Sequence, residues 1–292
     1  MNLSYLSLIA VGAMLSGVVS TVCAEETASY SLETEVKLLS DLRSRGISDS
    51  LNRPAALVGV QLAHESGVVA LAQLSSVSKK SFLGGDGQAL LLATGYRFGN
   101  PEGWHFGVGL AAEQFPGAKF DAPHAIDLSA GAPTDYRRSR YDTSYAVLEV
   151  GWGALEGRAM NVISKNYRGA NTGGVCAQLL ALSVDPTNAL KCYARGDHNS
   201  RGSWLFDLDY KIPVTDRTVV KLHAGTQRIK NFKEANYSDF SIGLLHTKWG
   251  AEWSAEYFVP RTKVRELFQV VDGAKIKAMD SKRLVLAVSK RF

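Results

Sequence analysis

Long apolar runs are missing from most of this sequence of 292 residues. Beyond the first two dozen positions there is no run of about 18 consecutive apolar residues, which excludes a membrane-spanning helix there. A closed β-barrel could still cross a membrane, because its strands pair every backbone group without such a run. Hydrophobic residues make up 46% of the chain, so the sequence predicts a folded protein and not a disordered one.

Motifs that carry catalysis or bind cofactors are also scarce. The sequence has no Gly-x-Ser-x-Gly elbow, no His-Glu-x-x-His pair and no glycine-rich phosphate loop between a strand and a helix. Two cysteines with only His198 nearby supply too few ligands for a closed metal site. We therefore predict no catalytic residues, no metal and no cofactor. His105 and His223 lie on the polar phase of their segments, which leaves a lipid-cleaving site open as an alternative.

Clustered positive charge is absent as well. Lys and Arg number 33 against 28 Asp and Glu, and the basic residues are scattered along the chain. Nucleic-acid binding needs a basic stripe or patch, so no nucleic-acid partner is predicted.

The N-terminus has the features of an export signal. Residues 1–24 contain no charged side chain, and an apolar stretch runs from Leu6 to Val22. The segment predicts a signal peptide cleaved after Ala24, although it lacks a basic start. Cys23 raises the alternative of lipid attachment, but the three residues before it lack the pattern of a lipid-attachment box.

Export predicts the oxidation state of the two remaining cysteines. In an oxidising compartment Cys176 and Cys192 are expected to form a disulfide, with two free thiols as the alternative. The segment between them has no sustained period, which predicts an irregular loop closed by the bond.

Apolar and polar residues alternate along many segments, starting with residues 30–43. Successive side chains of a strand point to opposite faces, so Leu32, Val36 and Leu38 would share one face and the charged residues the other. The alternation predicts β-strands. It does not by itself separate a membrane barrel from a soluble sandwich with a solvated charged face.

The number of strands and the rhythm of their connections favour the barrel. Five connections are tight turns, six are long, and the two kinds alternate, as in outer-membrane barrels whose short turns are periplasmic. Alternation is poor in the segments 67–76 and 156–164, so which of their side chains face inward is left open. We predict twelve strands, at 30–43, 54–64, 67–76, 87–98, 103–113, 143–152, 156–164, 202–212, 217–226, 237–247, 250–259 and 281–292.

Aromatic residues near the tight turns support the same architecture. Amphipathic rings belong at the membrane interface, although aromatics near turns can also cap a soluble core. The chain ends in an alternating strand on Phe292, which predicts recognition by the barrel-assembly machinery. The aromatic residues close to the predicted periplasmic ends are Phe98, Trp104, Trp152, Tyr210, Trp249, Trp253 and Phe292.

Residues 40–50, with the sequence SDLRSRGISDS, followed by Pro54-Ala55 and by His64-Glu65-Ser66-Gly67, resemble the N-terminal signature of the proteobacterial Gcw_chp family, also called TorF-type porins. The resemblance is strong over residues 30–76 and looser to the C-terminus. It implies an outer-membrane barrel with channel activity, whose lipid partners would be outer-membrane lipid and lipopolysaccharide.

Strand phase predicts which charges would line a pore. With Leu32 and Leu208 toward lipid, the acidic residues outnumber the basic ones, which predicts a narrow and modestly cation-preferring interior. Arg43 and Arg45 would be either fixed charges at the outer mouth or structural partners of carboxylates. The candidate pore-lining residues are Glu33, Glu35, Lys37, Asp41, Arg43, Asp207, Asp209, Lys211, Lys221, Glu252 and Glu256.

Taken alone, the sequence therefore predicts a single all-β domain over residues 25–292, an antiparallel transmembrane β-barrel. Its leading function is an outer-membrane channel for small hydrophilic solutes or ions. A barrel enzyme acting on lipid and a secreted structural or adhesive β-protein remain as alternatives, and the oligomeric state is left open.

Overall fold

The structure, a computed structural model, describes residues 29–127 and 129–292. The predicted signal peptide, residues 1–24, lies outside the described residues. Twelve strands form one closed antiparallel barrel. We number them in chain order as β1 Tyr30–Leu39, β2 Ala55–His64, β3 Val68–Ser76, β4 Gln88–Gly99, β5 Trp104–Gln114, β6 Thr143–Trp152, β7 Leu155–Val162, β8 Trp204–Thr215, β9 Thr218–Arg228, β10 Tyr237–Lys248, β11 Ala251–Thr262 and β12 Arg283–Arg291.

Each strand pairs with its neighbour in the sequence, and β1 closes the barrel on β12. In that closing pair Glu35 lies opposite Arg291. The Phe292 amide donates to the Thr34 carbonyl at 3.0 Å, and the Thr34 amide donates to the Phe292 carbonyl at 3.2 Å. Both ends of the described chain thus lie beside the tight turns. The predicted twelve-stranded barrel is confirmed, and the soluble sandwich is wrong because the sheet has no open edge.

The outer surface of the barrel is apolar, as lipid requires. On β1 the outward residues Leu32 and Leu38 are 60% and 56% exposed, whereas the inward Glu35 is 3% exposed. Tyr96, Phe98, Phe106 and Trp104 stack in a continuous row near the tight turns. The other predicted girdle residues, Trp152, Tyr210, Trp249, Trp253 and Phe292, are also exposed large side chains.

The six long connections lie at the opposite, extracellular end. We name them L1 (residues 40–54), L2 (77–87), L3 (115–142), L4 (163–203), L5 (229–236) and L6 (263–282). L3 contains a hairpin of Lys119–Asp127 with Ala132–Arg140, and L6 a hairpin of Gln269–Asp272 with Lys275–Ala278.

The prediction of an irregular L4 is wrong, whereas its disulfide is confirmed. L4 contains the helices α1 (Thr172–Leu182) and α2 (Thr187–Tyr193). The disulfide joins Cys176 on α1 to Cys192 on α2, with their Cα atoms 5.5 Å apart. No helix within the described residues is long and apolar enough to cross a membrane.

Strand β1 is shorter than predicted because the chain turns inward after Leu39. The predicted strand extended to residue 43, since Leu42 continues the alternation. In the structure Leu42 packs in a buried cluster with Leu57 and Phe115. The segment that follows, L1, enters the barrel and determines what the interior can do.

Candidate functional site

Nine of the eleven predicted pore-lining residues lie on barrel strands with the side chain on the inner phase. Glu33, Glu35 and Lys37 lie on β1 and alternate with the exposed Leu32, Val36 and Leu38. Asp207, Asp209 and Lys211 lie on β8, Lys221 on β9, and Glu252 and Glu256 on β11. Only one pair among these nine forms an ion pair, Lys221 with Asp209 at 3.5 Å.

The other two predicted residues, Asp41 and Arg43, lie in L1 and not on the first strand. The Arg43 Nε donates to Asp41 Oδ2 at 2.7 Å, and both side chains are almost fully buried. The hydroxyls of Ser48 and Ser50 donate to the other Asp41 oxygen at 2.6 and 2.8 Å. This cluster folds L1 on itself, so the placement of Asp41 and Arg43 on β1 is corrected.

Arg45 holds the tip of L1 inside the barrel, against the inner wall. Its guanidinium pairs with Asp207 on β8 and lies 3.7 Å from Asp239 on β10. It also donates to the Phe206 carbonyl at 3.1 Å. Gly46, with φ +77°, lets the chain reverse there, and a Cβ at this position would lie 3.1 Å from the Asp239 Cβ. Of the two roles considered for Arg45, the structure shows the carboxylate partner.

A chain of charges continues from this point along the inner wall toward the periplasm. His223 on β9 contacts Asp239 through Nε2 and Asp209 through Nδ1, both at 3.0 Å. Asp209 in turn pairs with Lys221. The Arg45 contact is therefore the outer end of a continuous network that joins three strands of the wall.

A second network lies on the adjoining wall, where Arg158 of β7 is opposite Asp207 of β8 in register, and sequence reasoning missed it. Arg97 on β4 and Arg158 on β7 both pair with Glu149 on β6, at 2.7 and 3.1 Å. Arg158 also pairs with Glu156 at 2.9 Å. Glu149 lies across Gly107, where a Cβ would come within 2.9 Å of its Oε2. Arg97 and Glu149 lie on the inward phase of their strands, which is the signal that could have identified them, whereas their pairing depends on register.

The outer end of the interior is filled. Arg168 of L4 bonds Asp49 of L1 at 3.0 Å and also pairs with the inward Glu113 of β5. The Tyr145 hydroxyl donates to Glu113 at 3.0 Å. Burial raises the pKa of Asp49 to about 6, and the nearby Arg168 opposes this increase. Below these contacts an apolar cluster lines the wall, including Leu91, Val147, Met160 and Leu205.

Exposure of the inward side chains shows which end admits water. The exposed fraction is 32% for the Glu33 side chain and 17% for Asp209, and it falls to 1% for Asp239. Water thus reaches the periplasmic mouth of the interior, whereas deeper charges such as Glu35, Lys221 and Glu256 are buried. L1 and L4 close the outer side.

No group of three or more potential metal ligands occurs in the part of the chain that the structure describes. The inward carboxylates instead have Arg, Lys and His partners. The interior therefore consists of ion pairs and not of a preformed ligand set.

A closed barrel with an apolar outer belt and a charged interior defines an outer-membrane β-barrel protein. The family model described as "Bacterial protein of unknown function (Gcw_chp)" matches residues 23–292. The chain belongs to this family. No curated protein matches the sequence.

Several solved structures share the barrel fold at low similarity. The KdgM porin is 6% identical, with 89% of this chain and 99% of that chain covered and a TM-score of 0.47. The NanC porin is 7% identical, with 89% and 98% covered and a TM-score of 0.46. An outer membrane channel from Pseudomonas putida F1 is 12% identical, with 94% and 100% covered and a TM-score of 0.40.

Proposed function

We propose that the protein is a narrow outer-membrane channel for small ions and hydrophilic solutes. The observation that carries this proposal is the charged interior, which water enters at the periplasmic end, where Glu33 and Asp209 are partly exposed. Charged side chains are costly inside a protein unless water or partners solvate them, so a dry filled barrel would favour an apolar interior. A polar interior is typical of barrels that hold water.

The dimensions support a small conductance. Twelve strands enclose less space than the sixteen or so of the large water-filled porins. Arg45 and the residues beside it occupy part of this space, against the inner wall. Ions would pass only along the residual polar path, or when L1 moves aside.

The charges support weak ion selectivity. The predicted lining residues were mostly acidic, but Arg97, Arg158 and Arg291 also face the interior, and Arg291 pairs with Glu33 at 3.2 Å. Most inward carboxylates are thus compensated. We propose that a weak preference for cations remains, carried by Glu252, which faces the interior on β11 and forms no ion pair among the described residues.

Of the two histidines on the inward phase, His105 and His223, the more deeply placed His223 does not favour the alternative of an enzyme. A general base needs a ring nitrogen that can reach the substrate. Both ring nitrogens of His223 contact carboxylates, Asp209 on one side and Asp239 on the other. Its arrangement supports a structural role in the charge network, and we propose that the protein is not an enzyme.

Planar-bilayer recording of the purified, folded protein tests the proposal. We expect small single-channel conductance and a reversal potential in a salt gradient that indicates weak cation preference. Glu252→Gln is expected to shift the reversal potential toward anions, because this inward acid has no ionic partner among the described residues. Asp121→Asn is the matched control, since Asp121 lies on the L3 hairpin and its side chain is 58% exposed. Absence of conductance from verified folded protein would contradict the proposal.

A further inference from the structure

An apolar groove crosses the outer surface of the barrel where β1 is short. It has a volume of about 500 Å³ and is lined mainly by Leu38, Leu244, Trp253, Ala255, Leu286 and Val288. It therefore spans four neighbouring strands, β10, β11, β12 and β1. A groove of this volume is in the size range of small-molecule sites.

Two local features create the groove. Outward Ala255 is a small residue between the larger Trp253 and Tyr257 on the same face of β11. At the other end β1 stops at Leu39, and the amide of Ser40 donates to the Leu286 carbonyl at 2.8 Å as the chain turns inward. Because L1 turns inward after Leu39, no further side chain of β1 covers the outer surface of the neighbouring strands at this point.

Two lysines lie at the periplasmic end of the groove on the same outward phase. Lys248 pairs with Ala251 across β10 and β11. On the other side of β11, Glu252 lies opposite Ser289 of β12. The antiparallel register, continued by one residue, places Lys290 opposite Ala251. The lysines are therefore about two strand spacings, roughly 10 Å, apart.

Among the described residues neither of these lysines forms an ion pair. Lys248 Nζ lies 4.4 Å from the centre of the Trp249 ring, and Lys290 Nζ lies 5.1 Å from that of Phe292. Interfacial aromatic rings mark the level of lipid headgroups. Each ammonium is thus held at the level of the phosphates.

We propose that this groove binds one anionic phospholipid of the periplasmic leaflet. An acyl chain lies in the apolar groove over Ala255, and the phosphate lies between Lys248 and Lys290. The proposal is independent of channel activity, since the groove faces lipid and not the interior.

Native mass spectrometry of the delipidated protein tests this proposal with phosphatidylglycerol and phosphatidylcholine of identical acyl chains. The wild-type protein is expected to retain one phosphatidylglycerol with a preference on the order of tenfold, because lysines at a membrane surface attract anionic lipid. Equal retention of both lipids by the wild-type protein would overturn the proposal.

Two variants separate the phosphate contact from the acyl contact. Lys248→Gln with Lys290→Gln is expected to abolish the preference for phosphatidylglycerol, whereas Lys79→Gln with Lys80→Gln in L2 keeps it. Ala255→Phe is expected to reduce retention of both lipids, and Ala72→Phe, at an outward position on β3, serves as its control.

Other outcomes decide against the site. An unchanged preference in the double lysine variant, or full retention in Ala255→Phe, would overturn it. A dimer that excludes lipid would assign the groove to contact between two copies of the chain instead. Heat-modifiable migration verifies the fold of each variant, and unaltered conductance in all of them keeps the result separate from the proposed channel.

Discussion

Removal of the Arg45 side chain is expected to open the barrel. The guanidinium is 2% exposed and faces two carboxylates that are themselves almost fully buried, Asp207 and Asp239. Removing one partner of a buried ion pair costs about 3–5 kcal/mol, mainly because the remaining charge is left uncompensated. In Arg45→Ala the tip of L1 therefore loses its ionic attachment to the wall. Water is expected to replace the guanidinium, because it solvates the two carboxylates.

Single-channel recording in planar bilayers measures the consequence. We expect Arg45→Ala to conduct more than the wild-type protein and to unfold at lower denaturant concentration. Arg53→Ala is the matched control, because Arg53 lies in the same loop but its side chain is 58% exposed and pairs with Asp272 at the surface. Surface pairs of this kind contribute about 0–1 kcal/mol, so neither property should change measurably.

A double variant separates loss of the L1 contact from loss of stability. Arg45→Ala with Asp207→Asn removes one of the unpaired charges and is expected to recover part of the stability. Its conductance should remain high, because L1 still lacks its attachment. Wild-type conductance from folded Arg45→Ala would refute the reasoning and would mean that L1 does not limit passage.

Three further predictions concern the loops and the membrane face. Removing the disulfide with Cys176→Ser and Cys192→Ser should destabilise L4 by about 3 kcal/mol in the chain-entropy model. The expected result is faster proteolysis of L4 while the barrel stays intact. Free thiols in the wild-type protein would contradict this prediction. Burial holds the pKa of Asp49 near 6 when L1 is docked inside the barrel, against 3.8 for the exposed carboxyl. Between pH 4 and 6 the docked loop therefore binds more protons than the released loop. Docking of L1 should strengthen as the pH falls through this window. Hydrogen exchange of L1 at pH 5 and 7.5, corrected for intrinsic rates, measures this effect, and Asp49→Asn should lose the pH dependence. Leu286→Arg on the lipid face should cost about 2–4 kcal/mol if the position is near the bilayer midplane, and a cost near zero in unfolding from liposomes would place the residue elsewhere.

The strands could be predicted from the sequence because lipid imposes one simple condition on them. Every outward position within the membrane must be apolar, whatever lies on the inner side. The structure has all twelve predicted strands, most of them within two residues of their expected limits. The largest error came where alternation continued without lipid, at Leu42, which is apolar because it packs inside the barrel against Leu57. β8 and β11 each extend three residues beyond their predicted ends.

The helices of L4 could not be predicted from an amphipathic period. Helix α1 buries Val175, Cys176 and Leu179, and it packs on α2 and on the L3 hairpin. Because neighbours surround it on several sides, its apolar residues do not form a single stripe. The disulfide could be predicted nonetheless, since it depended on the export signal and on the number of cysteines and not on the local conformation.

The partners of the interior charges follow from register, which a single sequence does not contain. Arg97 and Glu149 are 52 residues apart and meet only because β4, β5 and β6 are neighbours. Strand phase identified the inward acids of β1 and β8, but it said nothing about which of them would be neutralised. The arginines that the predicted lining omitted, such as Arg97 and Arg45, pair with acids that it also omitted, such as Glu149 and Asp239, so the predicted acidic excess is not removed.

Inward glycines explain how so many charged side chains fit within a twelve-stranded wall. Gly107 lies opposite Glu149, Gly225 opposite Asp207, and Gly243 opposite Glu256 in the register of neighbouring strands. At Gly225 an added Cβ would lie 2.8 Å from a terminal nitrogen of Arg45 and 2.6 Å from the Asp239 Oδ1. The absence of a side chain there makes room for the guanidinium between its two carboxylates. The same glycine therefore permits both the charge network of the wall and the insertion of L1, so closure of the interior is a property of the barrel sequence and not of the loop alone.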